Sequence, residues 1–320
     1  MKSAIMLDMS PMDMRDTFLA RLYDAARIDP RIMILSDDFG APMLDRYRQD
    51  LPDQFINAGI SEQNIIGVAA GLAASGFRPV VYSIATFTTL RCFEQIKIDL
   101  CVMNLPVTIL AVGTGYAYSG DGPTHHATED IAVMRTLANL SIYSPCEPAQ
   151  CIHLAATVGT TAGPRYIRLD RGKWPILGLN DNDMETGLRV FGDGRDCAII
   201  TTGNMVHRAL ETKEYLAKEN IDVKVIDLYR LKPVDSKALL EALGGVSCIV
   251  TLEEQSIHGG LGGIVSEFLI DTGHPARAAR CAIADDLLYA YGARDRLQVE
   301  RKLDMSGVGA KVKQLMACKN

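Results

Sequence analysis

No long unbroken apolar run occurs in this 320-residue chain; the best candidate, residues 100–112, is interrupted by Asn104 and Pro106 and is too short to span a bilayer. No membrane role is expected. The amino-terminal MKSAIMLDMSPMDMRD is broken by Asp8, Pro11, Asp13 and Asp16, so the apolar core of a secretory signal is missing and the chain reads as cytoplasmic. A basic excess is also absent. With 33 Lys and Arg against 39 Asp and Glu the formal net charge is −6, so no broad basic face invites nucleic acid, and an acidic substrate requires a local group of arginines. The cysteines (Cys92, Cys101, Cys146, Cys151, Cys197, Cys248, Cys281 and Cys318) form neither a Cys-X-X-Cys pair nor a zinc-like cluster. They read as buried or free thiols in a reducing compartment. Internal repeats and low-complexity tracts are lacking as well.

What is present is ordinary for a globular protein: 48% hydrophobic and 22% charged residues. The length exceeds that of one ordinary domain, so two are expected. Helical and strand patterns alternate throughout. Helices are expected over residues 14–29, 62–74, 88–104 and 127–136, and strands over 32–35, 54–57, 78–83, 107–112 and 140–145. Between residues 172 and 194, Pro, Gly, Asn and Asp mix without helical periodicity, which reads as a linker. The alternation then resumes with strands over 197–203, 223–228 and 248–254, and helices over 205–219, after Pro233, and over 258–269. The predicted fold class is α/β: two domains, residues 1–175 and 195–320, each a mostly parallel sheet covered by helices, joined by a linker over 176–194.

The segment FINAGISEQN (residues 55–64) places one carboxylate, Glu62, where a strand turns into a buried apolar helix, with Ser61 beside it in the cap region. A carboxylate entering such a core is costly unless partnered, and burial favours its protonated form, which suits sharing a proton with a ligand nitrogen. The plain alternative is a surface capping residue. Further on, GTGYAYSGDGPTHHATED (residues 113–130) combines glycines, a Gly-Asp-Gly-Pro turn and paired histidines, a loop able to bring backbone and imidazoles close to a polar ligand.

These two segments, with ATFTTLRCFEQI (85–96), EDIAVMR (129–135) and RLDRGKWP (168–175), resemble the pyrimidine-binding half of transketolase, a thiamine diphosphate enzyme. The resemblance covers nearly the whole chain but only the carboxyl-terminal two thirds of a full transketolase, and so implies the carboxyl-terminal subunit of a split enzyme. Its implied reaction is transfer of a two-carbon ketol unit from a ketose to an aldose. Decarboxylative acyl transfer, as in deoxyxylulose phosphate synthases or 2-oxoacid dehydrogenase β subunits, is the alternative. The diphosphate and its Mg²⁺ would be held mainly by an amino-terminal, pyrophosphate-domain subunit, in an α2β2 heterotetramer.

By the same resemblance, Glu62 hydrogen-bonds the pyrimidine nitrogen N1′ and favours the cofactor's imino tautomer. Phe87 and Phe93 flank the pyrimidine, with Leu90 between them where transketolases can carry an aromatic; core packing is the alternative for both. Asp121 and His125 bind sugar hydroxyls, His125 also assisting proton transfer, and Arg171 and Arg15 bind the terminal phosphate, unless they are surface or interface arginines. His126 caps the next helix, faces the partner or joins the site. Asp37 and Asp38 contact cofactor or partner. Gly113 stands where transketolases have a phosphate-binding histidine, and Tyr116 and Tyr118 are gained nearby, which leaves open whether the acceptor is phosphorylated. Gly192-Asp193-Gly194 with Asn220 imitates a metal motif but reads as a turn. The stretch EEQSIHGGLGG, from Glu253, reads as a strand-to-helix turn that packs the dimer.

Overall fold

The chain is described by a computed structural model covering residues 12–178 and 180–317. Cys318 and most of the amino-terminal stretch considered above lie outside the described residues. The strands Ile32–Ser36, Thr108–Val112 and Arg165–Leu169 are buried along their whole length. Continuous burial is what parallel strands with both faces covered require. Together they form the centre of a seven-stranded sheet in the order Arg230–Lys232, Ser141–Tyr143, Arg165–Leu169, Thr108–Val112, Arg78–Ile84, Ile32–Ser36, Phe55–Asn57. Every pairing in it is parallel except that of Arg230–Lys232 with Ser141–Tyr143.

Alternation along the strands sorts the two faces. Val81, Ile109 and Ala111 pack with Ile65 and Ala69 of the helix Glu62–Ala74, whereas Val80, Leu110 and Val112 pack with Phe18 and Leu22 of the helix Met14–Ala26 and Leu154 of Pro148–Ala156. A second sheet, ordered Arg277–Ile283, Cys248–Ser256, Cys197–Thr201, Val223–Asp227, Arg189–Phe191, carries its own helices and core. Two helix-covered, mostly parallel sheets are the fold class read from the sequence.

Several elements differ from expectation. The single helix over 88–104 is broken into Ala85–Thr89, Phe93–Gln95 and a π-helical turn, Ile96–Val102. Its start is threonine-rich, and the Thr88 and Thr89 hydroxyls each donate at 2.7 Å to the carbonyls of Ile84 and Ala85, a local bond that weakens regular helix. Residues 176–194 are not irregular: they hold the helix Asp181–Thr186, opened by an Asn180/Asp183 capping box, and the strand Arg189–Phe191, which adds an antiparallel edge to the second sheet. The Arg230–Lys232 strand crosses back from the second half to edge the first sheet.

No helix among the described residues is long and apolar enough to cross a membrane. The seven described cysteines are free and buried.

Candidate active site

Parallel strands deliver their carboxyl ends to one edge of the sheet, where ligands of open α/β sheets bind. Asp37 follows Ile32–Ser36, Glu62 follows Phe55–Asn57, and Phe87 follows Arg78–Ile84. Gly113 follows Thr108–Val112, and Asp170 and Arg171 follow Arg165–Leu169. Residues far apart in the sequence are thereby gathered on one rim.

Glu62 is the first residue of the helix Glu62–Ala74 and is 5% exposed. Ser61 does not cap the helix; its hydroxyl donates back to the Ala58 carbonyl at 2.9 Å. The carboxylate is met instead by Arg91, whose Nη1 lies 2.7 Å from Oε1 and whose guanidinium also sits 4.8 Å from the centre of the Phe87 ring. Sequence reasoning misses Arg91, because nothing in its spacing distinguishes it from a solvated helix residue. Asp37 shares this corner of the rim. Its Oδ2 accepts from the Ser83 hydroxyl while Oδ1 is buried without a partner, and burial, with the nearby Glu62 charge, pushes its pKa up. A buried carboxylate at a helix start, a second one with an orphan oxygen and a flanking aromatic ring together fit a heteroaromatic base bearing ring nitrogens and an amino group.

The Phe87 ring meets the His125 imidazole edge-on at 5.1 Å between centres. His125 Nδ1 shares a hydrogen bond with the Thr124 hydroxyl at 3.0 Å. Tyr118 lies 5.9 Å beyond, and Arg171 stacks over its ring at 4.7 Å. The order Glu62, Arg91, Phe87, His125, Tyr118, Arg171 is thus a continuous line of contacts. Arg15, paired with Asp16 at 2.9 Å, brings its charge near Tyr118 and Tyr82. Asp121 lies at the loop's turn, its amide donating to the Tyr118 carbonyl at 2.9 Å. Phe93 packs against the apolar core beside Glu62–Ala74, and Leu90 is 44% exposed. His126 turns inward against Tyr116 at 4.9 Å, and burial pushes its pKa down, keeping it neutral. Asp38 accepts from the Asn57 amide at 2.9 Å.

Two family models match this chain: the transketolase pyrimidine binding domain over residues 10–175 and the transketolase C-terminal domain over residues 188–308. The chain belongs to the transketolase family. It is 37% identical to one of the subunits of the apulose-4-phosphate transketolase of Phocaeicola vulgatus, over 82% of this chain and 85% of that protein. A solved split-gene transketolase, described as an inactive β4 tetramer, superposes with a TM-score of 0.85 at 32% identity, covering 97% of this chain and all of the other. A 1-deoxy-D-xylulose-5-phosphate synthase of Geobacter sulfurreducens is 33% identical over 86% of this chain but only 44% of its own length.

Within this transketolase chain, Gly192-Asp193-Gly194 forms the turn between Arg189–Phe191 and Cys197–Thr201, and no metal-binding group of His, Cys, Asp or Glu occurs among the described residues. The EEQS stretch does form the end of a strand, with Glu253 accepting from the Leu261 and Gly262 amides at 2.6 and 2.7 Å. Those bonds cap the helix Leu261–Thr272, and burial raises the Glu253 pKa to about 7. Glu254 does more than turn the chain. It accepts from the Tyr116 amide at 2.9 Å and from half-buried Arg294, which also pairs with Asp170 at 2.6 Å and donates to the Thr114 carbonyl at 3.1 Å. Gly115 makes this possible, since a Cβ there would lie 2.0 Å from Glu254 Oε2. The second domain therefore grips the base of the loop that follows Thr108–Val112. Arg294 lies far from every motif in the sequence, so no local signal marks it.

Proposed function

We propose that this chain is the pyrimidine-side subunit of a two-subunit, thiamine diphosphate-dependent transketolase, moving a two-carbon ketol unit from a ketose to an aldose. The observation that carries this reading is the buried Glu62 carboxylate, set at a helix start beside Asp37 and Phe87 on the ligand-binding edge of the sheet. Bound there, thiamine diphosphate supplies the nucleophilic carbon that takes up and returns the two-carbon unit. Glu62 would hold the proton shared with the pyrimidine nitrogen N1′, and Phe87, with Phe93 behind it, would wall the ring. His125, aimed by Thr124 and Phe87, would move protons to and from the sugar hydroxyls, with Asp121 as a second hydroxyl ligand. Arg171 and Arg15 would receive a terminal phosphate, a task suited to the guanidinium fork.

Diphosphate and Mg²⁺ would be bound mainly by an amino-terminal partner in a cytoplasmic α2β2 complex, with domains over residues 1–175 and 195–320 in this chain. Supporting the need for a partner are the Phocaeicola relative, which is itself named as a single subunit of its enzyme, and the inactive state named for the β4 tetramer. The test is reconstitution with an amino-terminal transketolase chain, thiamine diphosphate and Mg²⁺. Supplied with a ketose phosphate and an aldose, the complex should form the two-carbon-extended ketose; consumption of pyruvate alone would favour decarboxylative acyl transfer instead.

A further inference from the structure

Arg165 and Arg168 lie in the same strand and are equally buried, each 4% exposed, yet only one of them has a counter-charge. Arg168 pairs with Asp130 at 2.5 Å. The Arg165 guanidinium donates only to neutral oxygens: Nε to the Thr108 hydroxyl at 2.9 Å, Nη1 to the Thr157 hydroxyl at 2.8 Å and Nη2 to the Leu154 carbonyl at 3.2 Å. Three of its five N–H groups are thus used. Burial pushes its pKa down to about 10, which still leaves it charged at neutral pH. A buried cation without a counter-ion is costly unless something else supplies the negative charge.

Arg165 lines a cavity of about 340 Å³. The cavity begins at the first residues of two strands, Ser141 and Arg165, at the end of the first sheet opposite the rim bearing Glu62 and Phe87. Tyr143, His153, Tyr229 and Arg230 complete its polar wall. Arg230 comes from the second half of the chain, on the crossover strand Arg230–Lys232, and it too donates only to carbonyls, those of Glu185, Thr186 and Pro233 at 2.9, 2.9 and 3.1 Å. No Asp or Glu lines the cavity among the described residues, in a chain whose net charge is −6. Two guanidiniums, an imidazole and hydroxyls without an acid form a donor set for an anion. A carboxylate presents two oxygens in one plane and is satisfied by a single guanidinium fork, whereas the oxygens of a phosphoryl group point apart and suit donors arriving from separate strands. The volume falls within the range of small-molecule pockets, about 300–1,000 Å³, so more than a bare ion fits. We propose that this cavity is a second ligand site, separate from the rim, which binds the phosphoryl group of a small phosphate-bearing anion between Arg165 and Arg230. One arginine comes from each half of the chain, so the bound anion ties the two halves together. The site stands on its own residues and is independent of the reaction proposed for the rim.

The test is a calorimetric titration of inorganic phosphate into the full chain, at an ionic strength held constant with chloride, for the wild type, Arg230→Gln, Arg165→Lys and Arg171→Gln. Arg230 is partly exposed, so its replacement should leave the chain folded, and Arg165→Lys keeps the buried charge while removing the fork. Each of these two should weaken phosphate binding about tenfold or more, the effect of losing a hydrogen bond to a charged group. Arg171→Gln, on the rim, should leave this binding event in place. Saturating phosphate should also raise the thermal midpoint of the wild type more than that of Arg230→Gln. Glycerol phosphate titrated in parallel separates the sources: tighter binding than inorganic phosphate assigns the site to a phosphate ester, equal binding assigns it to free phosphate, and either upholds it. Phosphate binding that is lost in Arg171→Gln but kept in both cavity variants belongs to the rim and overturns the proposal. So does the absence of phosphate binding, or displacement of phosphate by acetate at equal concentration.

Discussion

Glu62 is buried and paired with an arginine whose side chain is about half exposed (48%). Its fold contribution should accordingly be small. Glu62→Gln keeps the shape and a hydrogen-bonding oxygen, so the thermal midpoint should move by the equivalent of no more than about 1 kcal/mol, as for other exposed-partner ion pairs. Two-carbon transfer by the complex should fall by about 10²–10⁴-fold, the range of a lost proton-transfer group. Equal loss of stability and activity would point to a structural carboxylate. A different buried acid, Asp227, accepts from Gln150 at 2.7 Å and from the Cys146 thiol at 3.2 Å, with its other oxygen unpartnered. Burial raises its pKa to about 7, above that of the unfolded chain. The folded protein therefore binds more protons between about pH 4 and 7, and its stability relative to Asp227→Asn should decline across that window and level off above it. Melting both proteins at about pH 5 and about pH 8, on either side of most of that decline, reads this directly: the asparagine variant should gain on the wild type at the higher pH.

The loop after Thr108–Val112 is held from two sides, and each hold can be broken singly. Arg294→Met leaves Asp170 and Glu254 buried without their cation, which should cost about 3–5 kcal/mol in urea unfolding, the usual effect of removing one partner of a buried pair. Gly113→Ala introduces a side chain at positive φ and against Tyr118; a loss of about 1–3 kcal/mol in urea unfolding is expected from the backbone strain. The sequence showed the rim but not its supports. Glu62, Asp121 and His125 stand out because each sits in a local signature of turn glycines or apolar helix, Phe87 is marked only by the family resemblance, and the parallel alternation says which edge they share. Arg91 reaches Glu62 across 29 positions, and Arg294 reaches Glu254 across 40 and Asp170 across 124; such pairings leave no local periodicity. The helix expected over 88–104 is interrupted at residues 90–92 and finishes in a π-helical turn, a break that its apolar periodicity does not mark.

At the scale of the molecule, the two sheets are joined by more than a linker. Arg230–Lys232 edges the first sheet from the second half of the chain, and Glu254 and Arg294 bury charge at the junction. Calorimetry should therefore show one cooperative unfolding transition, whereas two separated transitions would show that these bridges carry little energy. On the proposed function, the same architecture gathers half of an active site on one edge and leaves diphosphate and metal binding to another chain. The most direct test is to assay this chain alone, its amino-terminal counterpart alone, and the two mixed, each with thiamine diphosphate, Mg²⁺, a ketose phosphate donor and an aldose phosphate acceptor. The account predicts that only the mixture yields the two-carbon-extended ketose, and that Glu62→Gln in this chain all but abolishes that yield. Transfer by this chain alone, or a mixture indifferent to Glu62, would contradict it.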